Sequence, residues 1–374
     1  MSFNQVQMSL IQKIADDASL RGLTKTAMFL YDKISISDRD YAITKTSEKS
    51  ISNKYKLAKC YFDNQEYERC RHLLENEKSQ KKGSTAFPEA MFLSLFSRFK
   101  SIQKKQRESS LSSSEEIGPT ITLKPKIENE ITHKYSNLRR DVAKELDNYK
   151  QISSNETHQE ESYLWYLNGV LHQILNNRKD ATKSLMMSIK FNPHLWASWY
   201  ELSKVLPLSE PNTVKKVLSA VCPTQNFCKS FFVAKFLCTK KCYETMVDQE
   251  LIYLKDGCSL ETSGDYLAAE AEFLHTVQNY TLCIEKFTEM RNRDPYRFED
   301  CDTYSNVLFT SSKRVELASL AHELNEADPF RSEVCIVLGN YYDQYLKYSP
   351  ESVTWRKLAK VTFYSCEFSW IHQN

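Results

Sequence analysis

Glycine and proline are scarce in this chain, 7 and 10 among 374 residues. Few turns can therefore rest on residues that accept positive φ or fix φ near −65°. The segments between turns must be long, and helices meet that demand. Strict alternation of apolar and polar residues, the mark of a half-buried strand, is hard to find. No apolar run reaches the roughly 18 residues that a membrane-spanning helix needs. Neither sign of charge dominates, since 50 basic residues face 48 acidic ones for a net +2. The basic footprint that phosphate contacts require is missing. Partners are expected to be proteins, with no nucleic acid and no membrane.

The signatures of chemistry are missing as well. There is no Gly-rich phosphate loop, no G-x-S-x-G elbow and no H-E-x-x-H pair. The 8 histidines are scattered singly. His172, His275 and His322 fall on predicted helices, where packed or capping imidazoles are the simpler reading. No catalytic role and no cofactor are expected. The 11 cysteines are odd in number and follow no secretory leader pattern, which points to reduced, intracellular thiols. The tightest group, Cys238-Thr-Lys-Lys-Cys242 with Cys222 and Cys228 upstream, lacks the paired C-x2-C spacing and flanking His of a zinc site, so no metal is expected. Asn155-Glu-Thr157 and Asn279-Tyr-Thr281 match the glycosylation sequon and, without a secretory route, are expected to stay unmodified.

What the chain does have is a period. Asp294-Pro295-Tyr296 returns as Asp328-Pro329-Phe330, so Pro295 and Pro329 stand 34 residues apart, the step of a tetratricopeptide (TPR) helix-turn-helix unit. Counting back from Pro193 places Trp165, Gly169, Ala181 and Leu185 at offsets that call for an aromatic, a small, a second small and a bulky apolar residue. Positions 8 and 20 of a unit are where its two helices approach closest. Small residues there let the backbones close, and bulky ones at 11 and 24 fill the flanks. The expected fold is all-α, TPR hairpins stacked into a right-handed superhelical solenoid whose first helices line a peptide-holding groove.

Along the chain, residues 1–50 read as an N-terminal helical segment. Val6, Leu10, Ile11, Ile14, Leu23, Ala27 and Leu30 follow helical spacing around a break at Arg21-Gly22. Residues 51–105 hold the first repeat, with Ala58, Tyr61 and Cys70 in packing positions, and the first helix of the second repeat, Phe87 to Lys104. Residues 106–133 are rich in Ser and charge, and read as a flexible insertion. Within it Ser112 and Ser113 each have Glu three residues on, a pattern for an acidophilic kinase, although a solvated loop is the simpler reading. The second helix resumes at Ser136 to Tyr149, and a polar linker closes the 134–161 stretch. Residues 162–261 carry the clearest repeat, Ser162 to Leu195, then a degenerate one in which Trp199 leads and Pro207 and Pro211 interrupt, then one marked by Ala234 and Leu237. Residues 262–348 carry repeats marked by Ala271, Phe287, Leu308, Gly339 and Tyr342. Residues 349–374 form an atypical tail, with apolar residues from Val353 to Ile371 and no closing Pro. Asn306 and Asn340, both at position 9, are possible groove residues.

Several stretches exceed what the repeat demands. Tyr55-Lys-Leu-Ala-Lys-Cys-Tyr-Phe-Asp-Asn-Gln-Glu-Tyr67, Asn192-Pro-His-Leu-Trp-Ala-Ser-Trp199, Asp294-Pro-Tyr-Arg-Phe-Glu-Asp-Cys-Asp-Thr-Tyr-Ser-Asn-Val-Leu308 and Val337-Leu-Gly-Asn-Tyr-Tyr342 together resemble subunit 8 of the anaphase-promoting complex, or cyclosome. The resemblance runs from about residue 10 to 345. It implies a non-catalytic scaffold in a multisubunit ubiquitin ligase that controls mitosis, located in nucleus and cytoplasm. It further implies homodimerisation through the N-terminal half, Gln5 to about Leu206, and contact with other TPR subunits. Ubiquitin transfer would belong to the cullin and RING subunits. After Tyr342 that family continues through more repeats, whereas this chain departs from the pattern and looks shortened, so its activator groove is expected to be mostly absent. The alternative is a generic or chaperone-associated TPR adaptor. Asn306 and Asn340 fit a carboxylate clamp, but position 5 holds Asp302 and Ile336 where a clamp needs Lys.

Overall fold

The computed structural model describes residues 5–41, 48–80, 88–115, 124–152, 158–207, 210–222, 224–238, 243–346 and Thr354. Among these residues there is no strand. The chain divides into two compact units, residues 1–184 and 185–374. The first holds α1 (Gln5–Leu20), α2 (Thr24–Tyr41), α3 (Glu48–Asp63), α4 (Tyr67–Gln80), α5 (Pro88–Glu115), α6 (Lys124–Ile152), α7 (His158–Ile174) and the start of α8 (Arg178–Phe191). The second holds the end of α8, then α9 (Trp196–Val205), α10 (Pro211–Val221), α11 (Phe227–Phe236), α12 (Glu244–Ile252), α13 (Gly264–Thr276), α14 (Tyr280–Arg293), α15 (Cys301–Thr310), α16 (Arg314–Ala327) and α17 (Ser332–Leu346). One π-helical turn, Tyr253–Gly257, continues α12.

Five first helices end in one way. After α1 the Gly22 N–H bonds Ser19 O at 3.1 Å and the Leu23 N–H bonds Ala18 O at 2.9 Å, the paired bonds of a Schellman turn, with Gly22 at φ +75°. The same pair recurs after α3, α7, α13 and α15, where Gln65, Asn176, Gln278 and Ser312 take the left-handed position at φ 60°, 58°, 62° and 57°. Only the first of these five sites has glycine. A sequence poor in glycine builds its repeated turn from side-chain-bearing residues and accepts the steric cost.

In the first unit a core forms where small residues meet bulky ones. Ala15, Ala18 and Ala27 let α1 and α2 close on Tyr31, and Ala58 and Cys70 do the same for α3 and α4 around Leu57, Tyr61 and Leu74. Burying each large apolar side chain contributes roughly 1.5–3 kcal/mol. Cys70 also meets α5, because Ser97 Oγ lies 3.1 Å from its Sγ. In the second unit Trp199 is fully buried against Phe232 at 5.4 Å between centroids. Its indole N–H donates to Pro193 O at 2.9 Å. Phe287 stacks on Tyr304 at 5.0 Å, joining α14 to α15.

The structure departs from the sequence reading at 106–133. α5 continues to Glu115 and α6 begins at Lys124, so within the expected insertion only 116–123 lie outside the described residues. The reason is local. Lys, Gln, Arg, Glu and Ser are compatible with helix, Pro125 stands in the first turn of α6 where its missing N–H costs nothing, and tertiary contacts hold the extension. Tyr135, buried, packs on Phe99 at 6.1 Å and its hydroxyl bonds Gln106 Oε1 at 3.0 Å. The N-terminal helices form on either side of Gly22 as the spacing reads, and the structure adds which stripe faces inward. Leu10, Ile14 and Leu23, grouped by spacing with Ala27, are exposed, because Ile11, Ala15, Ala18, Ala27 and Tyr31 take the inner stripe. The atypical tail lies outside the described residues apart from Thr354.

Candidate interaction surfaces

The residues chosen as packing positions are placed as follows. Ala58, Tyr61, Cys70, Ala181, Leu185, Trp199, Ala234, Leu237, Ala271, Phe287 and Leu308 are buried. Gly169 and Gly339 are buried too, and Trp165, Tyr342, Pro193 and Pro329 are half-buried. Pro295 is exposed, as suits a turn. His172 is buried and burial lowers its pKa, with Arg139 adding to the shift. His275 rests against Tyr280 at 5.9 Å and His322 against Tyr341 at 5.5 Å. The three histidines stand on separate helices, each with a packing role.

The two candidate groove asparagines meet each other. Asn340 on α17 is buried, and its Nδ2 donates to Asn306 Oδ1 at 2.8 Å and to Ser305 Oγ at 2.9 Å on α15. Its amide is spent on joining two first helices, while Asn306 is exposed. Asp302, at the position a clamp would give to Lys, has its pKa raised by burial, with Asp300 and Glu333 adding to the shift. This arrangement repels a terminal carboxylate.

A charged network that sequence spacing did not suggest runs beside them. Asp300 precedes α15 in the left-handed conformation, φ +66°. One of its carboxylate oxygens lies 3.8 Å from Lys235 Nζ on α11, and the other lies 3.3 Å from Arg297 Nη2. Arg297 in turn reaches Asp265 on α13 at 2.8 Å. On α13 Glu272 accepts from Cys238 Sγ at 3.2 Å. Burial, with Asp300 adding, pushes the Glu272 carboxyl up to about 7. Pairing at a separation of 65 residues in sequence leaves no local periodicity to read.

The first unit presents an apolar exterior on its leading hairpin. Leu10 and Ile14 on α1 are 57% and 47% exposed, and Phe29 on α2 is 63% exposed with Lys33 Nζ 5.3 Å above its ring. Leu10 and Ile14, four residues apart, share a stripe of α1. On its other flank a cavity of about 340 Å³ is bounded by Asp16, Leu20, Tyr31, Tyr55, Lys56 and Cys60 among others. Its polar wall is internally satisfied. Asp16 accepts from Lys56 Nζ at 2.7 Å and from the Tyr31 hydroxyl. Burial works to raise the Asp16 pKa, but these two donors outweigh it and the net shift is downward. The Tyr31 pKa is raised by burial and by Asp16. Nothing in this set can act as a free nucleophile or base. Among the described residues no group of His, Cys, Asp and Glu could hold a metal ion, and no helix is long and apolar enough to cross a membrane.

Comparison with known families bears on these surfaces. The family model described as anaphase promoting complex subunit 8 / Cdc23 matches residues 12–260, more than half of the chain. The chain belongs to the subunit 8 family. An Arabidopsis thaliana relative named anaphase-promoting complex subunit 8 is 26% identical over 309 residues, covering 82% of this chain and 47% of that protein. The human cell division cycle protein 23 homolog is 28% identical over 273 residues, covering 73% and 40%. A Saccharomyces cerevisiae subunit, CDC23, is 23% identical over 385 residues, covering 90% and 58%. The chain thus spans about half the length of the curated relatives it matches. Among solved structures, the fold resembles a chain of the APC/C hetero-tetramer Cut9-Hcn1, with a TM-score of 0.64 at 17% identity, covering 97% of this chain and 63% of that one. The clamp alternative loses ground on both counts, the family match and the spent Asn340 amide.

Proposed function

We propose that this chain is a non-catalytic scaffold of the anaphase-promoting complex. It self-associates through its N-terminal half and binds other TPR subunits, in nucleus and cytoplasm. Membership of the subunit 8 family over residues 12–260 carries the reading. The physical support is that polar groups described at the candidate sites are spent on one another, while apolar surface is left to spare on α1 and α2. Exposed leucine, isoleucine and phenylalanine on one hairpin favour a protein contact, and a like-with-like contact between two copies is naturally two-fold.

Light scattering on the full chain tests the self-association. A mass about twice the monomer's 43.7 kDa is expected at micromolar concentration, falling to the monomer value in Leu10→Asp/Ile14→Asp. Because both side chains are exposed, the double variant should keep its helical circular dichroism. A monomeric wild-type chain, or a dimer indifferent to the double change, would contradict the self-association through α1.

A further inference from the structure

Residues 258–263, between the π-helical turn and α13, bring an exposed hydroxyl residue beside two guanidinium groups. Thr262 is exposed and stands one 34-residue period before Tyr296 and two before Phe330, the turn position left 76% and 69% exposed in the next two units. Arg293, at the end of α14, donates from Nη1 to Thr262 O at 3.2 Å. Arg297 donates from Nη2 to Asp265 Oδ1 at 2.8 Å, and its Nη1 lies 3.0 Å from the place a Cβ would take on Gly264. The repeat accounts for Arg297, since Arg331 faces Glu299 at 3.8 Å one period later. It does not account for Arg293, whose counterpart one period later is Ala327. Arg293 otherwise pairs with Glu289 at 2.9 Å, a solvent-exposed pair within α14 of the kind that contributes little. Arg297 Nε is buried with no hydrogen-bond partner. Donor capacity is thus left on Arg297 and only weakly held on Arg293.

We propose that Thr262 is a phosphorylation site, written by a protein kinase that selects a carboxylate three residues on, here Asp265, and that Arg293 and Arg297 hold the phosphate. The γ-phosphoryl group of ATP passes to Thr262 Oγ1, ADP leaves, and the hydroxyl proton goes to the catalytic base of the kinase. Nothing is oxidised or reduced. The product carries close to two negative charges and three acceptor oxygens. Arg293 already touches the residue that bears them, so turning from Glu289 to the phosphate replaces an exposed ion pair with a charge-assisted contact to a dianion. Glu261 and Asp265 oppose the added charge, and the two arginines together offset them. The phosphate then ties the turn before α13 to the turn after α14, closing the two ends of one hairpin on each other. This site does not depend on the scaffold reading.

The full chain, incubated with an acidophilic protein kinase and magnesium ATP, tests both halves of the proposal. Fragment-ion mass spectrometry is expected to place a phosphate on Thr262, with incorporation there falling about ten-fold in Asp265→Asn as one charge contact to the kinase is lost. Phosphorus NMR then reads the grip of the arginines on a resonance recognised by its absence in Thr262→Ala. Its titration midpoint should lie about one unit below the usual value of about 6 for a phosphothreonine, and should return most of the way in Arg293→Gln. Arg293 is exposed, so this variant keeps its fold where a change at the half-buried Arg297 could cost it. No phosphate on Thr262, equal incorporation in Asp265→Asn, or a midpoint that is ordinary in the wild-type chain or unmoved in Arg293→Gln would each overturn the proposal.

Discussion

At the scale of single residues, the repeated turn is the most informative feature. Gln65, Asn176, Gln278 and Ser312 sit in left-handed backbone that costs a residue with Cβ about 1 kcal/mol or more. Gln278 is exposed and its N–H is already bonded to His275 O at 3.0 Å, so its side chain can be removed without loss of packing. Gln278→Gly should therefore raise stability by about 0.5–1 kcal/mol, seen as a higher urea midpoint with an unchanged slope. A lowered midpoint would show that the side chain carries a contact beyond the turn. Ala58, Ala181 and Ala271, chosen from spacing alone, are buried. The Lys235–Asp300 pair and the Asn306–Asn340 bond were not legible in the spacing, since each joins residues of different hairpins. Asn306 and Asn340 drew attention for the right position and the wrong reason, with the buried amide acting as a tie between helices.

At the scale of elements, the helix pairs were readable wherever apolar periodicity was strong. The Gly22 break and the starts of α9 and α11 match the sequence reading. What misled was composition. A Ser-rich, charged stretch after Lys104 lacks the apolar stripe of a core helix, yet α5 continues because Gln106 is tied to Tyr135 on α6. The two views separate under one substitution. Glu108 is exposed within α5, so Glu108→Pro removes a helix bond and clashes with the preceding turn, at about 3 kcal/mol. Thermal unfolding should begin at a clearly lower temperature, whereas in a flexible insertion the same change would be silent. The apolar residues of α1 show a different limit. Leu10 and Ile14 obey helical spacing but stand one stripe away from Ala15 and Ala18, and a periodic pattern alone does not say which of two adjacent apolar stripes faces inward.

At the scale of the whole molecule, balanced charge, few turn-forming residues and a 34-residue period by themselves point to a protein-binding helical array. Family membership and an all-helical architecture among the described residues agree with that reading. Each unit has its own buried residues, and the leading hairpin of the first leaves Leu10, Ile14 and Phe29 exposed. The most direct measurement is quantitative affinity purification of the tagged full chain from dividing cells, with its Leu10→Asp/Ile14→Asp variant alongside. The account predicts recovery of the other TPR subunits together with cullin and RING subunits in near-equal amounts, and a loss of self-association in the double variant. Recovery of chaperones with none of those subunits would contradict it.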